Sequence, residues 1–318
     1  MNEGDRDNSD IPFRCGYVAL IGRPNAGKST LLNRLLGSKL AITSAKPQTT
    51  RNRIAGIASD DDTQAILVDT PGIHHARTHI NKEMVRIANE AIGEVDVALL
   101  IVDMTVLGRK AERDQPILDA LDDEIASALQ EAGKPIVLVA NKVDVVPHPL
   151  VLPVIEAWNA RLPFAAAVPL SALTGDGIEP LMVEVRRLLP EQPALFPVEM
   201  WTEVTERFLV AEIIREKLFH LTEQEIPYSA CIEIRQFDEE ERDSQSLVRI
   251  YADVIVERPS QKGIVIGKGG EMLKRIGTLA RKEIQGLLGC RVYLELFVKV
   301  ERNWTKSSRG LRRVGFKS

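Results

Sequence analysis

Short apolar runs separated by polar stretches with helical spacing recur along the first 190 residues. The runs near 17–22, 65–70, 97–103, 135–141 and 166–171 are continuous rather than alternating, the pattern of strands buried on both faces, and they predict a mostly parallel sheet. Ile54 to Ser59 is expected as an added edge strand, and helical spacing falls near 28–37, 79–93, 110–132, 150–161 and 178–189. Strand and helix thus alternate, which places this region in the α/β class. Pro190-Glu191-Gln192-Pro193-Ala194-Leu195-Phe196-Pro197 breaks the last helix and reads as a linker. Beyond it the order changes: a helix over Thr205 to His220, strands over Ser229 to Phe237 and Leu247 to Val256, a helix over Glu271 to Leu288 and a strand over Arg291 to Val300. The expected organisation is a flexible N-terminus (1–13), an α/β domain (14–190), a linker (191–201) and an α+β domain with a basic tail (202–318).

The chemistry sits at the predicted strand ends. After Tyr17-Val18-Ala19-Leu20-Ile21 comes Gly22-Arg23-Pro24-Asn25-Ala26-Gly27-Lys28-Ser29, which satisfies every fixed position of the phosphate-binding loop, with Thr30 opening the helical stretch. Polyphosphate needs backbone N–H groups brought close, which glycine allows, and a helix N-terminus aimed at the charge. Lys28 would reach the β- and γ-phosphates, and the Ser29 hydroxyl would ligate Mg2+. Asp69-Thr70-Pro71-Gly72 closes the second buried run. Asp69 suits a Mg2+ contact, and Gly72 can approach a γ-phosphate with no Cβ in the way. Asn141-Lys142-Val143-Asp144 follows a further buried run: the Asp144 carboxylate can accept from guanine N1–H and the 2-amino group, neither of which adenine offers there. Asn141 would brace the loop and the Lys142 stem would cover the ring. Ser171-Ala172-Leu173 offers a backbone N–H to guanine O6.

In the C-terminal region Ile264-Val265-Ile266-Gly267-Lys268-Gly269-Gly270 lies between two helical segments. Two glycines in such a turn let backbone approach a sugar-phosphate chain, Lys268 meets phosphates, and the apolar triplet would floor a groove for bases. The loop variant Gly-x-Pro-Asn-x-Gly-Lys-Ser with Asp-Thr-Pro-Gly-Ile-His resembles the Era family of bacterial GTPases within the translation-factor class. The order α-β-β-α-α-β with its Gly-x-x-Gly turn resembles a type II KH domain, and the likeness covers nearly the whole chain. The resemblance implies a P-loop GTPase domain followed by a KH domain. It also implies GTP hydrolysis at a slow intrinsic rate, with Lys28, Gly72 and the Thr49/Thr50 pair as catalytic residues. Mg2+ would be held by Ser29, Asp69 and one of Thr49 and Thr50, which of the two being open. RNA would be held by Ile264, Ile266, Gly267, Lys268, Gly269, Gly270, Lys274 and Arg275. The implied partners are single-stranded RNA, the 3′ end of 16S ribosomal RNA and the 30S subunit, in small-subunit maturation. One departure concerns hydrolysis: Ile73 stands where Ras-type GTPases carry the water-orienting glutamine, and His74 is a poor substitute by geometry. A partner or a monovalent cation would then complete the site, with Asn25 as the candidate K+ ligand or as a brace for the loop.

Composition narrows this picture at three points. Of 318 residues, 44% are hydrophobic and 27% charged, a globular composition with room for two cores, and no apolar run is long enough to span a bilayer. The three cysteines, Cys15, Cys231 and Cys290, are spaced for neither metal nor a redox pair, so reduced thiols in a cytoplasmic monomer are expected. Residues 258–318 hold 15 Lys/Arg and 4 Asp/Glu, a net of +11 on a chain whose total is −4. That asymmetry is expected of a nucleic-acid surface. Two rivals remain: a GTPase peripheral on the cytoplasmic face of the inner membrane, its basic tail on anionic lipid, and an RNA scaffold with a dead nucleotide site.

Overall fold

The computed structural model describes residues 12–44, 46, 50–51, 53–73, 79–223, 225–306 and 310. They fall into two compact units, one drawn from Met1–Lys39, Arg53–His75 and Val85–Glu203, the other from Leu40–Asn52, Ala76–Met84 and Val204–Ser318.

The sheet of the first unit has the order β2-β3-β1-β4-β5-β6. Its strands are β1 (Arg14–Ile21), β2 (Ile54–Ser59), β3 (Thr63–Asp69), β4 (Val97–Asp103), β5 (Ile136–Asn141) and β6 (Ala166–Leu170). All pairings are parallel except β2 with β3, as the continuous runs and the added edge strand lead one to expect. Among the described residues, this part of the chain has the α-helices α1 (Lys28–Leu36), α2 (His79–Glu94), α3 (Met104–Glu112), α4 (Ala120–Ala132), α5 (Val151–Asn159) and α6 (Ile178–Leu188). Ala19, Ile21, Leu100 and Leu138 of the sheet pack with Ile92, Ile125, Leu129 and Trp158 in one core. Burying a side chain of this size stabilises by roughly 1.5–3 kcal/mol, which makes this sheet a firm platform for its loops.

Two expectations need correction here. The helix expected over 110–132 is two helices, α3 and α4, with 113–119 non-helical between them. Pro116 cannot continue a helix, and Asp103 and Asp119 each cap a new start, Asp119 in a capping box with Asp122. The stretch read as a linker is strapped along the first unit instead. Gln64, fully buried on β3, accepts at Oε1 from Leu195 N and Phe196 N at 2.9 Å each, and Ile57 N donates to Trp201 O at 2.8 Å. Leu195 and Phe196 therefore owe their place to one buried amide, which hydropathy alone does not reveal.

The second unit has a three-stranded sheet of order β7-β8-β9, from β7 (Cys231–Asp238), β8 (Leu247–Val256) and β9 (Arg291–Val300). β7 and β8 are antiparallel with a register shift between Ile234 and Gln236, while β8 and β9 run parallel from Leu247↔Arg291 to Val256↔Val300. The helices are α7 (Glu206–Leu221), α8 (Ile226–Ser229), α9 (Arg242–Gln245), α10 (Pro259–Ile266) and α11 (Glu271–Leu288). Val210 and Ile214 of α7 and Ile276, Ala280 and Ile284 of α11 close over Val248, Ile250, Ala252 and Val254 as a separate core. The strand expected from Ser229 starts at Cys231, because the short helix α8, with Pro227 in its first turn, occupies 226–229.

Leu40–Asn52, which follows α1, belongs to this unit. Arg51, 5% exposed, donates to Ala230 O and Pro227 O at 2.8 Å and to Tyr228 O at 3.0 Å. Lys46 Nζ donates to Phe219 O at 2.8 Å and Thr222 O at 2.6 Å. Burial, with the Arg215 charge nearby, lowers Arg51 to about 10.

Candidate nucleotide site and RNA-binding loop

β1 ends in the glycine-rich loop and α1 begins at once, so the first-turn N–H groups of α1 face the loop. The glycines are dictated by space. A Cβ at Gly22 would lie 2.3 Å from Ile101 O, one at Gly27 would lie 2.1 Å from Asn141 Nδ2, and one at Gly72 would lie 2.7 Å from Pro24 N. Gly27 also has φ +101°, and Asn25, exposed in the same loop, has φ +64°. Lys28 is buried and donates from Nζ to Gly22 O at 3.2 Å and Arg23 O at 3.0 Å. Burial lowers its ammonium to about 8 against the opposing pull of Asp69. Ser29 Oγ donates to Asp69 Oδ2 at 2.8 Å, both residues buried. Two hard oxygens held together at the helix N-terminus suit Mg2+.

Asn141 locks two loops to each other, donating from Nδ2 to Ala26 O at 2.8 Å and accepting at Oδ1 from Ala172 N at 3.0 Å. Lys142, in left-handed backbone at φ +70°, bridges Asn25 O at 2.7 Å and Asp103 Oδ2 at 2.6 Å. Val143 is half-buried and Asp144 is exposed on the following turn. A base paired with Asp144 would itself cover the carboxylate. Ser171 and Ala172 are buried, while the Leu173 side chain is exposed.

Several predicted residues serve differently from expectation. The Arg23 side chain leaves the loop for α4, pairing with Asp122 at 2.8 Å and with Asp119, so only its backbone remains for phosphate. Thr70 Oγ1 donates to Leu20 O at 2.8 Å, and Pro71 is buried, both closing the strand end. Ile73, 4% exposed, joins the core and donates its N–H to Gly22 O at 3.1 Å. Thr30 is half-buried on α1. Thr50 belongs to the second unit; Thr49 and His74 lie outside the described residues. Two side chains at this rim escape the motif reading: Asp103, which caps α3 and holds Lys142, and Arg34, which reaches the carbonyls of Ala172 and Leu173. Asp103 carries a readable signal, an Asp at a strand end two residues before Thr105, whose N–H it accepts at 2.9 Å. Arg34 carries none.

In the second unit α10 ends at Gly267, whose φ of +74° turns the chain, and α11 starts at Glu271. A Cβ at Gly267 would meet Met272 at 2.7 Å, so that glycine is fixed by packing. Gly269 and Gly270, at φ +62° and +84°, have open space around them, which leaves their backbone approachable. Lys268, Lys274 and Arg275 are exposed, Ile264 is 51% exposed and Ile266 is half-buried. Val265 is fully buried in the core, so the apolar floor expected from three residues is offered by two.

A phosphate-binding loop and guanine-type loops on one sheet rim, with a separate helix–Gly-x-x-Gly–helix unit, define a GTPase joined to a KH domain. A family model described as 50S ribosome-binding GTPase matches residues 17–142, and a KH domain model matches 225–305. GTPase Era of Geobacter metallireducens is 50% identical over 308 residues, covering 97% of this chain and 99% of that protein. GTPase Era of Coxiella burnetii is 45% identical, covering 96% and 99%. Among solved structures, a single-residue variant of Aquifex aeolicus Era bound to GDP and aluminium fluoride is 38% identical with a TM-score of 0.88, covering 96% of this chain and all of that one. Era in complex with MgGDPNP and nucleotides 1506–1542 of 16S ribosomal RNA matches with the same identity, TM-score and coverage. The chain belongs to the Era family of GTPases.

Proposed function

We propose that this GTPase is a switch that binds GTP with Mg2+ at the α1 rim, holds single-stranded RNA at the Gly267–Gly270 loop, and acts near the 3′ end of 16S ribosomal RNA in 30S maturation. The observation that carries the RNA half is the pair Gly269 and Gly270, left-handed, with open space around them and flanked by exposed Lys268 and Lys274. The related Era that holds nucleotides 1506–1542 of 16S ribosomal RNA supports the choice of RNA.

At the nucleotide rim, loop N–H groups and the α1 N-terminus bind the phosphates and Lys28 neutralises the β- and γ-oxygens. Ser29 and Asp69 would hold Mg2+, which when bound would neutralise phosphate charge. Asp144 reads guanine N1–H and the 2-amino group, and Asn141 holds the surrounding loops in register. Water attacks the γ-phosphorus, its bond to the β–γ bridging oxygen breaks, and GDP and phosphate leave. With Ile73 packed in the core no side chain at that position orients the water, so the intrinsic rate is slow. Asn25 is the candidate K+ ligand, and single-turnover rates in K+ against Na+ would check that.

The test of the whole reading is a salt series on a single-stranded RNA carrying the 16S 3′-end sequence, with duplex RNA and anionic vesicles beside it. Affinity for the single strand should exceed that for duplex and vesicle and fall as salt rises, since neutralised phosphates release counterions. Equal affinity for duplex, or preference for vesicles, would overturn the KH reading in favour of a membrane role.

A further inference from the structure

Arg34, in the last turn of α1, donates from Nε to Ala172 O at 3.2 Å and from Nη2 to Leu173 O. Both acceptors lie in the loop after β6, whose N–H groups are otherwise committed in turn. Ser171 N donates to Asp176 O at 2.9 Å, Ala172 N to Asn141 Oδ1 at 3.0 Å and Thr174 N to Ser171 Oγ at 3.2 Å. Among the described residues, Leu173 N–H makes no hydrogen bond.

A trans peptide points its carbonyl and its N–H in opposite directions, and the described residues include no cis peptide. Holding Ala172 O on Arg34 therefore fixes the plane of the Ala172–Leu173 peptide and turns Leu173 N–H away from α1. The Leu173 side chain is 71% exposed and supplies no packing to fix that plane. A planar guanidinium with donors in a rigid fork can grip two successive carbonyls at once, which an ammonium cannot do with the same geometry.

We infer that Arg34 is a positioning residue for guanine recognition: it aims the Leu173 N–H, the donor still available to guanine O6, and ties that loop to the helix that holds the phosphates. The inference rests on the nucleotide site proposed above. Lys28 and Ser29 stand at the start of α1 and Arg34 six residues on, about 9 Å along the axis at 1.5 Å per residue. One rigid helix thereby sets the spacing between the phosphate end and the O6 end of the same ligand. A nucleotide with the right phosphates and a base lacking O6 would meet a loop that cannot relax toward it, which is how a fixed donor discriminates.

The test is competition binding of GDP, IDP, 6-thio-GDP and ADP to the full chain, for the parent, Arg34→Ala and Arg34→Lys, with thermal melts to match the variants. IDP keeps O6 and loses only the 2-amino group; 6-thio-GDP replaces O6 with a weaker acceptor. Arg34→Ala should weaken GDP and IDP by the same factor, about tenfold, and 6-thio-GDP by about twofold or less, so that the GDP preference over 6-thio-GDP narrows. Arg34→Lys should fall between, having one donor head for two carbonyls. Equal loss for GDP, IDP and 6-thio-GDP would mean that Arg34 only supports the fold, and no loss would mean that the loop holds itself; either overturns the inference. A parent that does not prefer GDP to ADP would sink the guanine site itself, a failure visible before any variant is made and one that takes this inference with it.

Discussion

The nucleotide rim and the Gly267–Gly270 loop both present backbone to phosphate, and they are built in opposite ways. At the rim the backbone is interlocked by side chains. Asn141 joins the loops of Ala26 and Ala172, Lys142 joins Asn25 to Asp103, and Arg23 fastens the phosphate loop to α4. A Cβ at Gly22, Gly27 or Gly72 would collide with backbone or with Asn141. In the KH loop, Gly269 and Gly270 have nothing within reach of an added Cβ, and only Gly267 is packed. A rim that must orient three phosphates and one base gains from preorganisation, because the ordering cost is met on folding rather than on binding. A loop that must accept a flexible strand of successive nucleotides gains from open backbone and mobile lysines.

That contrast makes the rim brittle and the KH loop tolerant, and variants can break it. The largest effect should come from Lys28→Ala, which removes a buried cation aimed at the β- and γ-phosphates: GTP and GDP affinity should fall by about a thousandfold or more. Isothermal titration reads it, and near-parent affinity for Mg-GTP would refute the whole account of the rim. A smaller effect should follow from replacing Lys268 and Gly269 together with aspartate. Carboxylates would stand where phosphates lie, and an L side chain at φ +62° is strained even with room around it. RNA affinity should drop by about ten- to a hundredfold and the salt slope by about one, while GDP affinity stays at the parent value. An unchanged salt slope would show that these residues do not meet phosphate.

The same contrast explains how much of the molecule is legible in its sequence. The parallel sheet is legible because β1, β3, β4 and β5 each carry a continuous apolar run, and each nucleotide motif is legible because interlocked backbone tolerates few residue types at fixed spacing. The KH unit is legible mainly from element order, since open glycines carry little spacing information. Side chains acting at a distance in sequence are not legible. Gln64 fixing Leu195 and Phe196, Arg34 gripping Ala172 and Leu173, and Arg51 gripping Pro227, Tyr228 and Ala230 are each polar residues whose partners lie more than a hundred positions away. Val265 departs from expectation for a related reason: an apolar triplet at the end of a helix cannot face one way, and the 3.6-residue period sends its middle member into the core.

The smallest effect concerns charge at the rim and would sharpen the account of preorganisation. Burial lowers Lys28 to about 8 from an ordinary lysine value of 10.5. Between those values the unfolded chain binds the proton and the folded chain does not, so this group's contribution to stability rises as pH goes up across that window and is unfavourable below it. Nucleotide reverses the sign. Phosphate oxygens beside the ammonium raise its value above 8 in the complex, so binding above that pH takes up a proton and affinity must fall as pH rises. Between about pH 7.5 and about pH 8.5, below the ionisation of guanine N1, the loss should approach a few-fold. Titration at the upper pH in two buffers of different ionisation enthalpy should show fractional proton uptake, absent in Lys28→Arg, which stays charged throughout. Uptake of the same size in both proteins would place the titrating group elsewhere, and the rim would then hold its lysine fully charged before any phosphate arrives.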